Sequence, residues 1–239
     1  MGGLTDHAGG VAASSLAGTE EAQRRWQAAM LDQIERLRVD LRRVDPALVA
    51  GRVGGVWNDR AIILDYWGRQ ASIPWGTLSP VGPSGEALSA FDTAMLLHHL
   101  RWTDGSPPSA RWIGFRELPG GEFYHQAYLG YTGRRLADTF GTRADEFDSA
   151  SVSISGERLP GPAPHAWRFA PLLRVLLAAC LWPGDDELPA QASVLFDAHA
   201  GHHLPLDGLA LLGAGLTGRL LGAAQQQLAG TSREVADSS

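Results

Sequence analysis

The densest run of side chains able to do chemistry lies between Trp182 and Asp207. It holds Asp185, Asp186, Glu187, Asp197, His199, His202, His203 and Asp207. Carboxylates and imidazoles together suit zinc, manganese or iron. Asp197, His199, His202 and His203 are the candidate metal ligands, and a metal-dependent enzyme would draw on Asp185, Glu187, Asp197 and His203. Antiparallel pairing of a strand ending at Trp182 with one holding Phe196, through a turn over Pro183 to Pro189, is expected to bring these groups together. The same residues also have a structural reading. Pro183-Gly184-Asp185-Asp186-Glu187 has the composition of a solvated turn whose Asp accepts from backbone amides. Asp197 would then order a loop, and Asp207 would cap the closing helix or sit in its first turn. His199 and His203 would share a helix face only if the stretch between them were helical, and Gly201 argues against that. No HExxH pattern is present.

A second group of ligand-binding candidates comprises Arg116, Glu117, Arg135 and Trp182. An Arg116–Glu117 pair at a strand end can position an anion, although such pairs at a surface carry little energy. Arg134 and Arg135 offer guanidinium forks for a carboxylate or phosphate, or only aliphatic stems for packing. Gly120-Gly121 ahead of a helix could present amides to an anion. Ser151, Ser153 and Ser155 lie in no G-x-S-x-G setting, which argues against a hydrolase triad. The chain has 8 tryptophans. Trp57, Trp67, Trp75, Trp102, Trp112, Trp167 and Trp182 sit in or beside apolar runs and are expected mostly in the core, with a subset free to line a groove.

The elements that must position these groups read as follows. Residues 1–18 are Gly/Ala/Ser-rich and predict a disordered tail. Thr19 followed by Glu20 and Glu21 resembles a helix start, and Trp26, Met30, Ile34, Leu37 and Leu41 mark one apolar stripe to about Arg43. Asp45-Pro46 is expected to end that helix. From Val53 to Ile73, short β-prone runs broken by glycine predict a small antiparallel meander. A Pro/Gly-rich link over 80–85 leads to a second helix, about Glu86 to Trp102. Then come a strand at Trp112–Phe115, a helix from Phe123 to Phe140 capped by Gly141, and a loop from Phe147 to Pro164 with a short strand at 152–154. Strands at 167–169, 175–182 and 192–196 follow, and a closing helix from Leu206 to Leu228. Hairpin signals dominate, so the fold class is α+β, with antiparallel sheet and helices packed on one side. One domain over 19–228 is expected, with a division into two lobes near 80–86 or 103–110 left open, and a frayed tail over 229–239.

Composition narrows the function. Twenty basic against 26 acidic residues give a net charge of -6, and no basic stripe supports nucleic-acid binding. Arg36, Arg38, Arg42 and Arg43 alternate with acids on the first helix and read as a solvated face. No apolar run is long enough to span a membrane, and the N-terminus lacks the basic and apolar regions of a signal peptide, so a cytoplasmic location is expected. The single cysteine, Cys180, lies in an apolar run and reads as core filler; one cysteine cannot hold an iron–sulfur cluster in the usual way.

The run Arg111-Trp112-Ile113-Gly114-Phe115-Arg116-Glu117-Leu118-Pro119-Gly120-Gly121, then Arg135-Leu136 and Phe140-Gly141, forms an ordered set with a later block. That block is Leu181-Trp182-Pro183-Gly184-Asp185-Asp186-Glu187-Leu188-Pro189-Ala190, Leu195-Phe196-Asp197 and His202-His203-Leu204-Pro205. Together they resemble the bacterial and archaeal family numbered 3786 among domains of unknown function, over about Asp45 to Leu221. Some members carry an N-terminal iron–sulfur domain of the kind seen in corrinoid proteins. This chain has no such cysteine-rich segment, and the resemblance implies no catalytic residues. The leading expectation is a non-catalytic binding or accessory protein, holding a small molecule, cofactor or partner protein between the N-terminal meander and the larger C-terminal part. The alternatives are the metal-dependent enzyme and a subunit of a larger complex.

Overall fold

The structure is a computed structural model and describes residues 28–237. The expected tail over 1–18, the helix start at Thr19 and Trp26 lie outside the described residues. Helix α1 (28–41) buries Met30, Ile34, Leu37 and Leu41, the stripe its spacing predicts. Its arginines meet nearby acids: Arg36 pairs with Asp32 and Arg38 with Glu35.

Asp45-Pro46 ends α1 but also starts a helix that the sequence reading missed. In α2 (Pro46–Val53) the Asp45 carboxylate accepts from the Ala47 amide at 2.8 Å, Pro46 fills the first turn, and Gly54 closes the helix in the left-handed region. Val53 therefore belongs to a helix and not to the meander. The meander itself is β1 (Val56–Trp57), β2 (Ala61–Tyr66) and β3 (Arg69–Pro74), all antiparallel.

Helix α3 (Ala90–Trp102) begins four residues later than predicted, because Ser89 is its N-cap and accepts from the Asp92 amide at 3.1 Å. Strand β4 (Trp112–Gly114) gives way at Phe115 to a 3-10 turn. The helix predicted over 123–140 is two, α4 (His125–Tyr131) and α5 (Gly133–Phe140), broken at Thr132, whose backbone leaves the helical region. The loop predicted after Phe147 is instead α6 (Ala144–Ser153), with Asp145 and Glu146 in its first turn and Phe147 and Ala150 buried. Strands β5 (Glu157–Arg158), β6 (His165–Leu172), β7 (Val175–Trp182) and β8 (Gln191–Asp197) follow. Helix α7 (Leu206–Asp237) continues past the predicted end at Leu228, where no proline stops it.

The chain is thus α+β, with one eight-stranded antiparallel sheet ordered β1-β2-β6-β7-β8-β4, β3 pairing with β2 and β5 with β6. Helices lie on the face that carries Phe169, Leu177, Ala179, Leu181, Val194 and Phe196, and one apolar cluster runs from Met30 to Ala224. The opposite face keeps a small separate cluster of Ala166, Ala178 and Cys180, so Cys180 is buried filler as expected. The tryptophans depart from expectation. None of the seven named above is fully buried; Trp57, Trp67, Trp75 and Trp167 pack half-buried against the core, while Trp102 and Trp182 are 52% and 36% exposed. A large ring with one polar atom settles at the core's edge, where that atom can find a partner.

Strand β6 is irregular between Phe169 and Leu172, where Pro171 cannot donate to the ladder. The kink brings Leu172 opposite Tyr66, and the Trp67 amide donates to the Pro171 carbonyl at 3.0 Å. This seam ties the meander to the main sheet and aims the β2–β3 turn at α3 and α7.

Close packing of α5 on β8 depends on Gly133, where an added Cβ would lie 2.3 Å from the Ala192 carbonyl oxygen. Gly133→Ala should therefore lower stability by roughly 1–3 kcal/mol. Gly130→Ala, in open space on α4, should raise it by roughly 0.5–1 kcal/mol. Urea unfolding of the two variants should show opposite signs.

Candidate functional site

The predicted pairing of β7 with β8 is present, but it separates the acidic cluster instead of assembling it. Trp182 faces Gln191 at the turn end, so Asp185 and Glu187 sit there, while Asp197 and His203 lie at the far end of β8. Six steps of strand put roughly 20 Å between them. At the turn end, Asp185 accepts from the amides of Glu187 at 2.9 Å and Leu188 at 2.8 Å. Those bonds hold its carboxyl below the ordinary value. Glu187 is exposed, and so is Trp182.

At the far end Asp197 is fully buried and organises the loop before β4. One carboxylate oxygen accepts from the Ser109 amide, the Ser109 hydroxyl and the His199 amide; the other accepts from the Ala110 amide at 2.8 Å. His203 is buried with Nδ1 at 2.7 Å from the Thr103 hydroxyl, and His99 places Nδ1 at 3.3 Å from the His203 carbonyl. A carbonyl only accepts, so the His99 proton sits on Nδ1. The Nε2 atoms of both rings are buried without a partner. His199 reaches the Pro107 carbonyl at 2.9 Å and His202 the Asp104 carboxylate at 2.8 Å. The stretch between them is a 3-10 turn at 200–202, so His199 and His203 do not form a helical pair. Among the described residues, no three His, Cys, Asp or Glu side chains are placed to hold one metal ion.

The second group of candidates is also apart. Arg116 pairs with Glu122 at 3.0 Å, whereas Glu117 accepts from the Gly114 amide at 2.7 Å, so the two neighbours do not form a unit. Arg135 is exposed on α5, beside a hollow of about 420 Å³ shared with Asp138, Thr139 and Arg143.

A site that sequence reasoning missed lies where the seam delivers the β2–β3 turn. Tyr66 pairs with Arg69, leaving Trp67 and Gly68 as a two-residue turn with both φ positive, at 51° and 71°. Such turns favour Asn-Gly; a bulky residue there is strained by roughly 1–3 kcal/mol. The Trp67 ring is covered by the Arg219 guanidinium at 4.4 Å from its centroid, a cation–π contact from α7. Its indole N–H is buried beside the Tyr66 hydroxyl. The Tyr66 hydroxyl donates to Asp92 at 2.7 Å, and the Ser89 hydroxyl donates to the same carboxylate at 2.6 Å. Burial, then the Asp92 charge, pushes the Tyr66 hydroxyl far above its ordinary pKa, which keeps it a donor.

These groups wall a cleft of about 140 Å³ between the meander, the 82–88 link, α3 and α7. Ala71, Pro83 and Leu88 supply apolar lining, and Arg69 with Glu86 stands at the mouth, 3.5 Å apart. The Glu86 carboxyl is held below its ordinary value by its own amide and the Ser84 hydroxyl. The one sequence signal was a tryptophan ahead of Gly68 where a turn calls for Asn or Asp.

Residues 45–219 match the family described as domain of unknown function (DUF3786). The chain belongs to that family. The matched span contains every residue lining the Trp67 cleft, with Arg219 at its last position. No curated protein and no solved structure matches the chain. No helix among the described residues is long and apolar enough to cross a membrane.

Two predictions follow from the buried polar end of β8. Asp197→Ala strands the four donors and should cost on the order of 3 kcal/mol. Asp197→Asn keeps one acceptor oxygen and should cost less, which chemical denaturation would resolve. Burial holds His99 and His203 near a pKa of about 4, against about 6.5 when unfolded. Both imidazoles are neutral above pH 6.5 in either state. Between pH 6.5 and 4 the unfolded chain binds protons that the folded chain refuses, so stability falls with pH across that window. His99→Leu should flatten the slope between pH 7 and 5, as read from denaturation midpoints.

Proposed function

We propose that this family member is a cytoplasmic, non-catalytic binding protein that holds a small molecule in the Trp67 cleft, between the meander and the C-terminal part of the fold. The carrying observation is Trp67 itself. A two-residue turn would be more stable with Asn at that position, yet a tryptophan is held there in a strained conformation with its ring forming a cleft wall. Elements distant in sequence converge to fix it. The Pro171 carbonyl anchors its amide, and Arg219 covers its ring. Asp92 on α3 fixes the adjacent Tyr66. Apolar lining with a few converging polar groups is the usual make-up of a ligand pocket.

The supporting groups argue for binding over turnover. Asp92 accepts a hydroxyl on each oxygen, the Glu86 carboxyl is held below its ordinary value, and Tyr66 is held protonated, so no group of the wall is tuned toward general-base work. Strain at Trp67 fits pre-organisation of a wall for a ligand.

A ligand-observed NMR screen of small polar fragments should find binders that compete for one site. Trp67→Asn removes the ring but suits the turn, so it should stay folded and lose those binders. Fragments that bind Trp67→Asn as well as the parent protein would sink the assignment of the site.

A further inference from the structure

We infer that the molecule held in the Trp67 cleft is a small organic anion, its carboxylate or phosphate group taken by Arg219 and Arg69 and its short apolar body lying against Trp67 and Leu88; this rests on the cleft being the ligand site. The formal charges of the wall do not decide it, because Arg69 and Arg219 are matched by Glu86 and Asp92. What decides it is which hydrogen-bonding groups are already used. The acceptors are the better used: Asp92 takes the Tyr66 and Ser89 hydroxyls at 2.7 and 2.6 Å, one on each oxygen, and Glu86 Oε2 takes the Ser84 amide and hydroxyl at 3.0 and 2.9 Å, with Oε1 facing Arg69. A cationic ligand would have to share carboxylates that already serve those donors and lie beside the two guanidiniums.

The donors, in contrast, are under-used. Arg219 has five N–H groups, and its approach to a carboxylate is 3.9 Å from Asp92, beyond hydrogen-bonding range. Arg69 stands 3.5 Å from Glu86 and is 70% exposed. The contact with the Trp67 ring, 4.4 Å from its centroid, holds the Arg219 guanidinium at the cleft wall, where its N–H groups can form a fork of two bonds to one anionic group. An anion satisfies these donors and breaks none of the existing bonds.

The test follows the indole N–H signal of Trp67 in ¹⁵N-labelled protein, assigned by its loss in Trp67→Asn. Phenyl phosphate, benzoate, benzyl alcohol and benzylamine are titrated at one ionic strength. Phenyl phosphate or benzoate should shift that signal and saturate, and comparison of the two separates phosphate from carboxylate recognition. Arg219→Gln should weaken the anion at least about tenfold, the loss expected for a hydrogen bond to a charged group, and Arg69→Gln should weaken it less. Should Arg219→Gln lower the melting temperature, Arg219→Lys keeps the charge without the fork and should still weaken binding. Benzyl alcohol or benzylamine binding as tightly as the anions would overturn the anion assignment and leave the ligand site standing. The same holds for anion binding that is unchanged in a folded Arg219 variant. No response at Trp67 to any of the four probes would overturn both.

Discussion

The meander and the main sheet meet through one narrow seam, and the geometry of the candidate site depends on it. Pro171 has no N–H, so β6 cannot run on as a regular strand through that position. The resulting irregularity turns the end of β6 toward β2, where Tyr66 pairs with Leu172 and the Trp67 amide donates to the Pro171 carbonyl. A turn fixed at its backbone has few ways to relax. Trp67 therefore keeps its positive φ, and its ring is presented to α7, where Arg219 covers it. Tyr66, one residue earlier, is locked to α3 through Asp92. A missing donor in one strand thus positions a ring and a hydroxyl contributed by another.

Polar groups in this fold fall into two kinds with different roles. Asp197 is buried and accepts four hydrogen bonds, so it holds the loop at 103–111 against the end of β8. His99 and His203 add to the same junction, neutral because burial resists their charging. Asp197 lies in the densest polar run of the sequence, and its bonding is spent inside the protein. The cleft at Trp67 has fewer polar groups, but its two arginines are left incomplete. Density of chemically capable residues in sequence is therefore a poor guide to a site here; donors that are both unspent and within reach of a cleft are the better one.

Several features were legible in the sequence because their causes are local. The stripe Met30, Ile34, Leu37, Leu41 follows helical spacing and is buried. The β-prone runs from Val56 to Ile73 form the meander, and Pro183 to Pro189 turns between paired strands. Asp185 caps its own turn, as its neighbours imply. Errors arose where two local signals coincided. Asp45-Pro46 serves both as a stop for α1 and as cap and first residue of α2. Asp145 and Glu146 at the start of α6 lie ahead of a serine-rich stretch with loop composition.

By itself, then, the sequence determined the α+β class, the antiparallel hairpins, the first helix, the long last helix and the family, all of which follow from periodicity, turn chemistry and ordered motifs. Tertiary structure alone decided which polar groups meet. Strand length carried Asp185 and Glu187 away from Asp197 and His203, although they are close in sequence. Strand pairing and helix packing brought Trp67, Asp92 and Arg219 together from segments far apart along the chain. The physical reason is that hydrogen bonds and charges act over a few ångströms of space, whereas sequence spacing predicts distance only within a single turn, strand or helix.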